Sequence, residues 1–97
     1  MCGNEVAQTV ASPSGQLKVI VFSRDCGATT GFSTQVSIVP AKDTLPNDSG
    51  NILILDGVVP LKVQWGSDST LTLTGLGSSR VFKQVPSAAG VSINYGN

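Results

Sequence analysis

Phe32-Ser33-Thr34-Gln35-Val36-Ser37-Ile38-Val39 is the stretch that decides the fold class. Phe32, Thr34, Val36 and Ile38 fall on one face, and Ser33, Gln35 and Ser37 on the other. That period of two belongs to an extended strand and not to a helix. Just upstream, residues 17–24 (LKVIVFSR) are apolar on both faces in their middle, which suits a central strand covered from both sides. Downstream, residues 52–55 (ILIL) form a short buried run ending at the turn Asp56-Gly57, and residues 61–65 (LKVQW) and 69–74 (STLTLT) alternate again. Residues 91–95 close the chain as a sixth strand; 80–85 read as a less regular seventh, and 6–10 as a short edge strand.

The composition agrees. Val, Ile and Thr supply 25 of the 97 residues, and their branched β-carbons suit a pleated surface better than a helix. Short polar connections separate the runs: residues 12–15, 25–31, 46–50 and 75–78 carry the Gly, Pro, Asn, Asp and Ser that set turns. Such connections pair sequence neighbours antiparallel, because they are too short to cross over a sheet. Residues 40–50 form the longest break and read as an ordinary loop excursion. The expected architecture is a single all-β domain over residues 1–97, an antiparallel meander forming a small sandwich or open barrel, with residues 1–11 as a flexible N-terminal segment. One internal echo stands out. Ala11-Ser12-Pro13-Ser14-Gly15 and Trp65-Gly66-Ser67-Asp68-Ser69 both lead into an apolar strand, like the turn that opens a β-propeller blade, so the chain partly resembles an isolated blade. Good β-turns also converge on these residues without common origin.

Charge and composition exclude several functions. Six Lys plus Arg balance six Asp plus Glu, which disfavours nucleic-acid binding driven by phosphate charge. With no His, the Ser-His-Asp and Cys-His arrangements and every His-based metal site are removed. The five Asp residues sit beside turn formers with no spacing that pairs them for acid–base work, and 48–51 lacks the ligand pattern of a calcium loop. No metal and no cofactor are expected. Trp65, Phe22, Phe32, Phe82 and Tyr95 read as core or interface residues.

The most distinctive run is Arg24-Asp25-Cys26-Gly27-Ala28-Thr29-Thr30-Gly31, continuing through Phe32 to Ile38. With the turn at 12–15, Gly50-Asn51-Ile52 and Val63-Gln64-Trp65, it resembles a family of small uncharacterised bacterial proteins that also occur in mobile (integron) gene cassettes. The likeness covers Cys2 to Thr74. That resemblance implies no activity. It does imply a lipoprotein origin, because family members often carry a signal peptide ending at Cys-Gly-Asn. Met1-Cys2-Gly3-Asn4-Glu5 looks like such a mature start, with Cys2 as the lipid-attachment residue. The domain would then hang from the cell envelope by a lipid anchor, its only contact with a membrane; otherwise it would be cytoplasmic.

Two cysteines allow one intramolecular disulfide, Cys2 to Cys26, which competes with acylation of Cys2. If Cys2 is acylated, Cys26 is left as a free thiol, by default a small buried hydrophobe. The candidate ligand-binding loop is Arg24, Asp25, Cys26, Gly27, Thr29 and Thr30, whose amides, hydroxyls and guanidinium suit a carboxylate or phosphate. The same glycines and threonines also serve an ordinary hairpin connection. The functional reading is a non-enzymatic binding or interaction module, with contact surfaces at this loop and an exposed sheet face. Two alternatives stand beside it. One is a thiol-dependent enzyme centred on Cys26, with Arg24 lowering the thiol pKa. The other is a self-assembling subunit, a homo-oligomer formed through the exposed sheet face.

Overall fold

The computed structural model describes residues 2–27 and 31–97. Of the candidate loop, Thr29 and Thr30 therefore lie outside the described residues. The described chain is all-β. Its strands are β1 (Gly3–Ala11), β2 (Leu17–Asp25), β3 (Phe32–Pro40), β4 (Leu53–Asp56), β5 (Lys62–Ser67), β6 (Thr70–Thr74), β7 (Val81–Gln84), β8 (Ser87–Ala88) and β9 (Val91–Tyr95). They form two open sheets, one in the order β1-β2-β3-β4-β7 and one in the order β5-β6-β9-β8.

The alternating stretch pairs as its pattern requires. β3 lies antiparallel to β2 from Leu17↔Pro40 to Asp25↔Phe32 without a break. Val19 and Val21 of β2, with Val36 and Ile38 of β3, then point to one side. There they meet Leu61, Leu71, Leu73, Val91 and Ile93 of the second sheet's side of the core, all buried. Burying each such side chain contributes roughly 1.5–3 kcal/mol, which is ample reason for the two sheets to stack. The polar Thr34 on the same face is also buried, and it is satisfied: its Oγ1 donates to Gly57 O (2.8 Å) and accepts from Val59 N (2.8 Å).

The meander holds for β1 through β4 and then stops. β7 joins the free edge of β4, and β9 pairs with β6 in parallel, Leu71↔Ile93 and Leu73↔Tyr95. A parallel neighbour needs a long connection, and residues 75–90, which contain β7 and β8, supply it. Neither sheet has the four-strand order of an isolated propeller blade. The two echoing turns nevertheless meet. The carboxylate Oδ1 of Asp68 accepts from Ser14 N (2.8 Å), and Trp65 Nε1 donates to Val10 O (3.0 Å). The likeness of the two segments thus marks two hairpin tips held side by side.

The outer face of the first sheet is also covered. Ile20 and Phe22 point away from the other sheet and are buried, opposite Ser37 and Gln35. The break over 40–50, expected to be an ordinary excursion, returns as residues 41–51 across this face. Gln35 Oε1 accepts from Gly50 N (2.7 Å), Ser37 Oγ accepts from Asn51 N (3.1 Å), and Asn4 Nδ2 donates to Pro46 O and Asp48 O (3.2 Å each). Gly50 is required for this contact. A Cβ there would sit 2.7 Å from Val36 O, closer than backbone allows.

One expectation is corrected outright. Cys2 and Cys26 extend the β1–β2 register that begins at Gly3↔Asp25, so they face each other, and they are joined as a disulfide with Cα atoms 3.9 Å apart. A sulfur in that bond cannot carry a thioether to lipid. Cys2 is not the lipid-attachment residue, and the membrane contact and envelope placement that rested on it fall together. Cys26 is not a buried free thiol either; it is exposed and bonded. The edge strand read over 6–10 extends from Gly3 to Ala11 once this bond ties its start.

Candidate functional site

The nine-residue strands of the first sheet outrun the five- and six-residue strands stacked on them. At the end carrying Asp25 and Phe32, the inner face of the first sheet is consequently left without a sheet above it. Residues 57–61 cross there from one sheet to the other, pinned by the two hydrogen bonds of Thr34. Between this crossover and β1 lies a groove of about 210 Å³, lined by Glu5, Val6, Phe32, Thr34, Val58 and Val59 among others. Its apolar side chains are open to water, Val58 being 75% exposed and Phe32 51%; Val6, opposite Phe22 in the register, is 52% exposed on the adjoining β1 edge. A second depression, bounded by Gly3, Asn4, Glu5, Ser23, Asp25 and Phe32, adjoins it.

The charges at this end divide between the two faces of the sheet. Alternation places Glu5, opposite Ser23, and Asp25, opposite Gly3, on the groove side. Arg24 points to the other side, where its Nη1 donates to Asn4 Oδ1 (2.7 Å) and Asn47 Oδ1 (3.2 Å). Arg24 therefore fastens the 41–51 loop. Neither depression is lined by a Lys or Arg among the described residues, so the groove has an apolar floor and an acidic rim.

Comparison with known proteins places nothing beside this chain. No family model, no curated protein and no solved structure matches it. What can be said of the site comes from its own geometry.

The candidate loop is separated by that geometry more than it is brought together. Arg24 faces away from Asp25, whose Oδ1 accepts from Gly27 N (3.1 Å) and closes a turn of the kind Asp favours. Cys26 is bonded to Cys2, so in this state it holds no thiol to ionise. Among the described residues no group of three Cys, Asp or Glu gathers around a metal-sized space. The residues the sequence reading missed are Glu5, Val6, Val58 and Val59. A signal for them existed: Gly57-Val58-Val59-Pro60 is an apolar pair between a turn and a proline, with no alternating run to absorb it.

Phe32 and Phe82, read as core or interface residues, are 51% and 56% exposed. Phe82 lies under the Arg80 guanidinium, 5.3 Å from its ring centroid, at the far edge of the same sheet.

Proposed function

We propose that this chain is a non-enzymatic binding module, a small sandwich whose contact surface is the groove where the first sheet extends beyond the second. The observation that carries this reading is the exposure of Phe32 and Val58 around one apolar concavity beside the β1 edge; the other exposed large apolar residues are Val6 on that edge and Val81 and Phe82 at the far edge of the sheet. Exposed apolar surface gathered in a concave place is costly to leave in water and marks a site of contact. The disulfide supports this reading over thiol chemistry, because it consumes the one nucleophile that the enzymatic alternative needed.

Nile red, a neutral apolar dye, tests the surface directly. Saturable fluorescence enhancement is expected with the native protein and should be lost in Val58→Asp, while the circular dichroism and denaturation midpoint of the variant stay unchanged. Equal dye binding by both proteins would remove the groove as the contact surface.

A further inference from the structure

We propose that the groove receives an extended peptide segment of another protein, added as a strand along the free half of β1, with an apolar and a basic residue two positions apart on the groove side. This rests on the binding-module reading and names the ligand class of that same surface. β1 is an edge strand, but its halves differ. From Gln8 onward it is flanked by the second sheet, Gln8 Nε2 donating to Leu61 O (2.6 Å) and Trp65 Nε1 to Val10 O. Residues 3–6 lie on the other side of the register shift between Val6 and Gln8, and no strand runs beside them among the described residues.

Such an edge presents backbone donors and acceptors that an incoming extended chain can pair. Side chains of that chain alternate in direction, so residues two apart would both face the groove. One would approach Val58 across the mouth of the groove, and the next would lie beside Glu5, with Asp25 one strand further in. Those two carboxylates select the charge of the guest. They also disfavour a second copy of this chain on the same edge, since pairing β1 with its own equivalent would bring like charges together. The Cys2–Cys26 bond holds the free half of β1 in register before any guest arrives. A preformed edge loses less entropy on binding than a frayed one.

Calorimetric titration with acetyl-Thr-Leu-Thr-Lys-Thr-amide tests the proposal, using three control peptides. In the first, Glu replaces Lys; in the second, Leu and Lys are adjacent; in the third, alternate backbone amides are N-methylated. The parent peptide should bind, and each control should bind at least about tenfold more weakly. Glu5→Gln combined with Asp25→Asn should weaken the parent about three- to tenfold, the size expected for two exposed charge contacts. Asn at position 25 keeps the acceptor for Gly27 N, so the turn survives. Equal binding of the Lys and Glu peptides, or of the N-methylated peptide, overturns the proposal. So does a dimer in light scattering that Val6→Asp dissolves, because a second copy would then be the occupant. If Nile red binds in a Val58-dependent way and no peptide binds, this proposal falls while the module reading stands. If the dye shows no dependence on Val58, the reading itself falls.

Discussion

The two ends of β1 are built on different principles. At its C-terminal end, side chains reach across to the second sheet: Trp65 to Val10 O, Gln8 to Leu61 O and Asp68 to Ser14 N. At its N-terminal end no side-chain hydrogen bond reaches the second sheet among the described residues; Asn4 ties it to the 41–51 loop, and a covalent bond joins it to the neighbouring strand. Where apolar cover exists, weak contacts suffice to keep an edge strand in place. Where the cover is withheld, a disulfide takes over, and the uncovered face stays available.

Breaking the disulfide should have the largest effect. Cys2→Ser with Cys26→Ser is expected to lower unfolding free energy by about 3 kcal/mol, the cost of releasing a loop of this size. Chemical denaturation measures the loss, and hydrogen exchange should accelerate at residues 3–6 far more than at 8–11. Equal acceleration along the strand would erase the distinction between its ends.

Next comes a matched pair of aromatic truncations. Trp65→Ala removes half-buried packing and a hydrogen bond at the closed end, and should cost about 2–3 kcal/mol. Phe32→Ser at the open end should change stability by less than about 0.5 kcal/mol. Similar losses from the two would show that the groove wall carries stability after all.

Gly50→Ala probes the loop that covers the outer face. A Cβ 2.7 Å from Val36 O must displace residues 41–51 from Gln35 and Ser37, at an expected cost of about 1–2 kcal/mol. The accompanying exposure of Phe22 should be visible in near-ultraviolet dichroism.

The smallest effect concerns acid. The hydrogen bond from Ser14 N holds the Asp68 carboxyl below its ordinary value, helped by the Ser14 hydroxyl. A depressed folded-state pKa gives stability that is fully present above the unfolded value near 3.8 and is lost as pH falls through the folded value. Denaturation midpoints of the native protein and Asp68→Asn should therefore differ at neutral pH and converge in acid below that range. A constant gap would mean that the two hairpin tips are not joined through this charge. Tyr95 behaves in the opposite sense. Burial raises its pKa, so its contribution persists below the unfolded value of 10.0 and fades as pH climbs through the folded one.

Much of the scaffold can be read along the chain, for reasons that lie in single strands. Residues 17–24 are apolar on both faces because both faces of β2 are covered, and 32–39 alternate because Thr34, Val36 and Ile38 face the other sheet. The site was less legible. Arg24 beside Asp25 and Gly27 looks like one cluster in sequence, yet alternation turns the guanidinium to the opposite face, where Asn47 lies 23 positions away. Gln35 and Ser37 suggest a wet face, and nothing local reveals that Gly50 and Asn51 will come to partner them. The acylation of Cys2 is what the resemblance of Cys2-Gly3-Asn4 to a lipoprotein start implies, whereas the fate of its sulfur depends on which residue the register sets opposite it.

Periodicity and turn chemistry are local properties, and they suffice to determine that this chain is all-β, where its main strands run and which side chains share a face. They act between residues a few positions apart, so the order of residues alone carries them. Three facts belong only to the tertiary structure: that β9 joins β6 in parallel, that Cys2 meets Cys26, and that the long strands of one sheet outrun the other and leave Phe32 and Val58 uncovered. Each depends on which distant segments come to lie together, and burial and register choose among those pairings over the whole molecule at once.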